Sequence, residues 1–109
     1  MYKTGTAVRG SLIVLILRGT ELDAVRCAVV ASRRVGNAVK RNRCKRLLRE
    51  GCRALRAGEG VRGVDLLLIA RAACAGAHVN EVRAEAADLY KKAAAAMVNG
   101  RQQTERAEE

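Results

Sequence analysis

The chain has no proline, no phenylalanine and no tryptophan, and only two tyrosines and one histidine in 109 residues. With Tyr2 and Tyr90 as the sole aromatics, the core has to be aliphatic. The same shortage argues against RNA-recognition-motif and OB-type modules, which stack bases on aromatic platforms. Proline-rich and serine-rich linkers are absent, as are internal repeats, so the length fits one domain. We place that domain at 1–98, followed by a polar tail at 99–109 that is expected to fray. Four cysteines (Cys27, Cys44, Cys52, Cys74) form no C-x-x-C pair and have no histidine at ligand spacing. They read as small buried hydrophobes with no metal site, in a reduced cytoplasmic setting. No signal peptide is present, and the apolar run Leu12–Leu17 is far too short to span a bilayer.

Catalytic motifs are missing too. There is no P-loop, no H-x-E and no G-x-S-x-G. His78 reads as a surface or capping residue. Asp65 and Asp88 read as isolated carboxylates, one in a turn and one on a solvated helix face. No residue is assigned a catalytic role.

What is present begins with three buried-strand patterns. "LIVLIL" (Leu12–Leu17) is a continuous apolar, β-branched run ended by Arg18-Gly19. Thr6–Arg9 either begins that strand or forms a short one before it. "RCAVVAS" (Arg26–Ser32) and "VDLLLIAR" (Val64–Arg71) are the others. Between these two, Asn37 caps a helix from Ala38 to about Ala57, and Gly58 stops it. Cys44, Leu47, Leu48, Gly51, Cys52 and Leu55 fall on one stripe of it. A second helix runs from Asn80, its expected cap, to about Val98, with Val82, Ala86, Leu89, Ala93 and Met97 facing the core. Strands and helices in this order make a two-layer α+β domain.

Charge is the strongest signal. The chain carries +10, and the segment from Arg33 to Arg56 holds ten lysines or arginines against one acid, Glu50. That segment is +9 and the remainder only +1, so the basic character is local and suits a polyanionic partner. Arg41, Lys45, Arg49 and Arg53 follow one another at i+4, with Asn42 and Arg46 beside them. Each like-charged pair at that spacing destabilises an isolated helix by roughly 0.2–0.5 kcal/mol. Lys40 and Arg41 also sit in the first turn, where the helix dipole disfavours cations. Only Glu50, four residues after Arg46, offers relief. An arrangement that costs stability without structural gain marks a functional surface. Guanidinium groups on it suit phosphate oxygens, and Asn42 adds a donor and an acceptor. On the residues alone this is an RNA or DNA backbone binder.

"SRRVGNAVKRNRCKRLLRE" resembles the signature of the bacterial ribonuclease P protein family: a strand ending in a small polar residue and a basic pair, then V-G-x-A-V-x-R-N-R-x-K-R-x-x-R-E. Val35, Gly36, Ala38, Val39, Arg41, Asn42, Arg43, Lys45, Arg46, Arg49 and Glu50 fill it without a break. "YKTGTAVRGSLIVLIL" is similar to the family's opening strand region, "GVDLLLIAR" to its strand after the basic helix, and the last helix to its closing helix. In the family a short helical segment precedes the first strand, and this chain starts near its end.

The resemblance implies a mixed, mainly antiparallel sheet with helices and a left-handed strand–helix–strand crossover, against the usual handedness. It implies a protein subunit with no catalysis of its own, paired with a catalytic RNA that removes the 5′ leader of precursor tRNA. Mg²⁺, held mainly by that RNA, would assist the hydrolysis. The RNA-binding residues implied are Arg33, Arg34, Lys40, Arg41, Asn42, Arg43, Lys45, Arg46, Arg49 and Arg53. The single-stranded leader would lie in a cleft between sheet and helix. The family places aromatic residues in that cleft, and here only Tyr2 is near enough in sequence. The partners implied are the ribonuclease P RNA and the precursor-tRNA leader, with no membrane and one protein copy per particle. A general RNA-binding or ribosomal-type protein using the same helix is the alternative, and an autonomous nuclease a third.

Overall fold

A computed structural model describes residues 5–21, 23–58 and 62–108, with side chains as far as Met97. Alternation along the apolar run sends Ile13, Leu15 and Leu17 of one strand to one face, and Val14, Ile16 and Arg18 to the other. This strand, β2 (Ile13–Gly19), lies beside β1 (Thr6–Arg9) and pairs with it antiparallel. Thr6–Arg9 is therefore a separate strand.

The reversal between them is held from a distance. A carboxylate of the second helix, Glu85, accepts from the amides of Ser11 (3.1 Å), Leu12 (2.8 Å) and Ile13 (2.8 Å), and from Ser11 Oγ (2.8 Å). These donors would otherwise be orphaned in the turn. A Cβ on Gly10 would come within 2.6 Å of that carboxylate and would have to push it off the turn.

β3 (Val25–Val30) and β4 (Val64–Ala70) complete the sheet, in the order β1-β2-β4-β3. β4 runs antiparallel to β2 and parallel to β3. The parallel pair requires a crossover, and α1 (Ala38–Ala57) supplies it. The sheet is mixed, mainly antiparallel, and covered on one face by α1 and α2 (Val79–Glu108). Leu15, Leu17, Leu66, Leu68, Leu48, Val82 and Leu89 pack between the layers at 2 % exposure or less. At roughly 1.5–3 kcal/mol for each large aliphatic side chain taken from water, these residues carry the domain.

Both ends of α1 match the sequence reading. Asn37 Oδ1 accepts from Lys40 N at 3.0 Å, and Gly58 follows the last turn. Before it, a 3-10 turn at Arg33–Val35 is capped by Ser32, whose Oγ accepts from Arg34 N at 3.3 Å. Gly36 joins turn to helix at φ 130°, a conformation that side-chain-bearing residues rarely adopt. The buried positions of α1 are the six stripe residues named above. Gly51 lets α1 approach α2 closely, facing Ala86 and Val82.

Three expectations change. α2 is capped by His78 and not Asn80: His78 Nδ1 accepts from Asn80 N (3.1 Å), and Glu81 Oε1 accepts from His78 N (3.0 Å). The cap lies earlier because this reciprocal pair satisfies two first-turn amides. α2 also runs on to Glu108, so the segment assigned to a frayed tail continues the helix. Gln, Arg, Ala and Glu there are good helix formers, and the one glycine, Gly100, costs only about 1 kcal/mol. Finally, the cysteines are not four of a kind. Cys27 of β3 and Cys52 of α1 form a disulfide with Cα atoms 6.3 Å apart, while Cys44 and Cys74 are free and buried. Spacing in sequence cannot show which strand residue lies under which helix residue. Burial pushes the Cys74 thiol up to about 12, with Cys44 beside it contributing.

Candidate nucleic-acid interface

Helical spacing places Asn42, Arg46, Arg49 and Arg53 on the side of α1 opposite its buried stripe. Val39, Asn42, Lys45, Arg46 and Arg49 line a shallow groove along it, and Val39 is 75 % exposed. Arg33 and Arg34 precede the helix on the Ser32-capped turn, both exposed. Among the described residues, no acidic group lies within ion-pair distance of Arg33, Arg34, Lys40, Arg41, Lys45, Arg46 or Arg49. The fold therefore leaves seven of the ten expected side chains as open cations, with Asn42 among them.

Two arginines of the motif region are used differently. Arg43 turns to the inner flank, where Nε donates to Ala75 O (2.8 Å) and Nη2 to Ala77 O (2.9 Å). It closes the 3-10 turn Ala72–Gly76 that leads into α2. Arg53 Nη1 pairs with Glu50 Oε1 at 3.1 Å, and the other oxygen of Glu50 takes Arg83 Nη2 of α2 at 3.1 Å. Glu50 thus relieves Arg53 and Arg83, not Arg46 as the i+4 spacing suggested, because α2 offers a better-placed cation.

A second surface lies on the sheet face away from the helices, not between sheet and helix as the resemblance implied, because packed side chains fill that space. Ala7, Val14, Ile16 and Ile69 floor a cleft of about 740 Å³, and Arg9, Arg34 and Arg71 stand at its edge. Arg34 lines this cleft from the turn just before α1, so the cleft opens toward the start of the helix. Arg71 Nη1 donates to Gly10 O at 2.7 Å, fixing that edge to the β1–β2 turn. Arg9, Arg71, Arg18 and Arg26 were not singled out from the sequence. Their signal is period-2 alternation, which becomes readable only when the strand register is known.

Asp65 is not the isolated turn carboxylate expected. It sits inside β4 at 7 % exposure, between arginines of both neighbouring strands. Arg26 donates through Nε (2.7 Å) and Nη2 (2.8 Å), and Arg18 through Nη2 (2.7 Å). The hydrogen bonds from Arg26 and then Arg18 hold the Asp65 carboxyl below the usual carboxylate range, and Asp65 raises Arg26 in turn. Asp88 is as expected, exposed and paired with Lys92 at 3.0 Å. Tyr2 lies outside the described residues. Among the described residues, no three His, Cys, Asp or Glu side chains gather to hold a metal, and no helix is long and apolar enough to cross a membrane.

Chemically, then, the molecule offers an open cationic helix row and an apolar sheet cleft edged by arginine. Both suit a single or structured polyanion, with phosphates on the arginines and bases or sugars on the aliphatic floor.

Comparison with known proteins bears on which polyanion. The Ribonuclease P family profile matches residues 1–94. A ribonuclease P protein component from Desulforapulum autotrophicum is 36 % identical over 93 residues, covering 84 % of this chain and 78 % of that one. One from Clostridium kluyveri is 36 % identical over 94 residues, covering 85 % and 84 %. Among solved structures, the RNase P protein of Staphylococcus aureus superposes with a TM-score of 0.71 at 27 % identity, covering 84 % of each chain. That of Thermotoga maritima gives 0.69 at 28 % identity, covering 84 % and 86 %.

Proposed function

The chain belongs to the ribonuclease P protein family and is a protein subunit of that ribonucleoprotein; from this premise we propose how its surfaces divide the work. The outer row of α1, with Asn42 at its centre, docks on the ribonuclease P RNA. The open sheet face receives the single-stranded 5′ leader of precursor tRNA. Arg34 stands where the two surfaces meet, so leader and RNA subunit are held side by side. The observation that carries this reading is the row of cations on α1 without an acidic partner among the described residues, next to a cleft edged by Arg9, Arg34 and Arg71.

Hydrolysis of the leader phosphodiester is assigned to the RNA. Ser11 Oγ does meet the Glu85 carboxylate, but that carboxylate is engaged by the amides of Ser11, Leu12 and Ile13 and serves the β1–β2 turn. The described residues gather no carboxylate cluster fit for Mg²⁺, so no step is routed through a protein-bound metal. The protein's part is electrostatic and geometric. Cations on a rigid helix lower the repulsion between two RNA strands, and a preformed cleft reduces the entropy lost on ordering the leader. One copy per particle, in the cytoplasm, completes the proposal.

The test is reconstitution. The full chain is mixed with a bacterial ribonuclease P RNA at low Mg²⁺, and cleavage of precursor tRNA is followed. Stimulation over RNA alone is expected, and its absence would overturn the proposal. Cleavage by the protein without RNA would assign the chemistry to the protein.

A further inference from the structure

Arg18, Asp65 and Arg26 stand directly opposite one another on β2, β4 and β3, in one row across the open sheet face. Neighbouring strands are about 4.8 Å apart, so both arginines reach sideways to the carboxylate between them. Arg26 grips both oxygens of Asp65 through Nε and Nη2, which fixes its guanidinium edge-on to the carboxylate. Arg18 closes on the other side through Nη2. Hydrogen bonds therefore occupy one edge of the Arg26 guanidinium and one Nη2 of Arg18, which holds both planes in place without covering their faces. The Arg26 side chain is 59 % exposed and that of Arg18 34 %, against 8 % for Asp65.

This is the opposite of what a phosphate site needs. Asp65 cancels one of the two charges and engages three N–H groups, among them the Nε–Nη2 edge of Arg26 that a bidentate phosphate contact would use. A buried ion pair is also a weak means of adding stability, since apolar residues in the same row serve as well. What the triad does supply is a flat, oriented pair of guanidinium planes. Single-stranded RNA is commonly held by stacking its bases on aromatic rings or on arginine planes. No aromatic residue lies on this face among the described residues, and Tyr90 is on α2, across the sheet.

We propose that Arg26 and Arg18, oriented by Asp65, form a stacking platform for a nucleobase of single-stranded RNA. This rests on the reading of the open face as the leader surface. Ile16 and Leu67 form the floor between the platform and the cleft edged by Arg9, Arg34 and Arg71. From Asp65 to Ile69 the floor is about 13 Å long, at 3.3 Å per residue, so a strand with phosphates at Arg34 and Arg71 reaches the platform a few nucleotides on. Arg18 and Arg26 are binding residues in this scheme, and Asp65 is a positioning residue.

The experiment scans single abasic nucleotides along the leader of precursor tRNA, with the full chain assembled on a bacterial ribonuclease P RNA. At one leader position the abasic substitution is expected to weaken binding about tenfold. Arg26→Lys keeps the charge and loses the plane. It should weaken the intact leader by a similar factor and lose the response to the abasic site at that position. Asp65→Asn should behave likewise. If it does not fold, Arg26→Lys alone decides. A flat scan with the native protein, or an Arg26→Lys holoenzyme that keeps the native response, would overturn the platform. If the chain fails to bind the RNA subunit at all, the proposed function fails first. Normal assembly with a flat scan removes only this inference.

Discussion

On the outer row of α1, Arg46 and Arg49 have no acidic partner among the described residues, whereas on the open sheet face Arg18 and Arg26 share one nearly buried carboxylate. The side chain is the same and the surroundings are opposite. An unpaired guanidinium on a helix keeps its full charge and its donors for a phosphate that arrives later. A paired one has committed part of its charge and donors, and offers a fixed position and a planar face as well. On the proposed function, the helix row would set affinity and salt dependence, and the sheet row what fits against the strands. Arg43 shows that the distinction does not follow the sequence motif. It stands in the R-N-R triplet, yet its guanidinium is bonded to the carbonyls of Ala75 and Ala77.

This contrast can be broken in graded steps. The largest effect on stability comes from cutting the link between the two regions, the Cys27–Cys52 disulfide. Its 25-residue separation encloses the whole turn and most of α1, and chain entropy assigns such a loop about 3.5 kcal/mol. Urea midpoints with and without reductant would show it. The salt slope of RNA binding should not change, because no cation is lost.

Next in size is Arg43→Ala, which removes two charge-assisted hydrogen bonds at an exposed site and should cost about 1–2 kcal/mol. Weaker RNA binding with an unchanged salt slope would mark Arg43 as an anchor of the helix. A slope lowered by a full phosphate contact would place it in the interface instead. Asn37→Ala removes the α1 cap for about 1 kcal/mol, measured in the same urea series.

Arg49→Ala should leave stability unchanged or slightly raised, since Lys45 and Arg53 flank it at i−4 and i+4. A clear destabilisation would show that the row serves the fold.

The Asp65 pairing is read through pH. Its folded pKa lies below the unfolded value, so its contribution is complete above that unfolded value and is lost as pH falls through the folded one. Stability should be flat in this respect down to about pH 4 and fall below it. Asp65→Asn should flatten that acid limb, and an unaltered limb would deny the pairing.

The sequence showed some of this and hid the rest for identifiable reasons. α1 was legible end to end because Asn37, the apolar stripe and Gly58 are local signals read along one element. Its basic row was legible for the same reason. The disulfide, the Glu85 clasp on the β1–β2 turn and the Asp65 row join residues far apart in the chain. None follows from periodicity, because each depends on strand order and register. Parallel pairing of β3 with β4 is the decisive case: it brings Arg26 beside Asp65, and no local pattern specifies it. The end of α2 was misread because a polar stretch without a stripe gives no sign of whether it stays helical.

The central claim is that the outer row of α1 is held open for RNA phosphates. It is tested most directly by the salt dependence of binding to ribonuclease P RNA for the native chain and for Arg46→Ala combined with Arg49→Ala. The account predicts a log–log slope lower by about 1.4–1.8, at 0.7–0.9 per lost phosphate, with an unchanged urea midpoint. A double variant that keeps the native slope would contradict it.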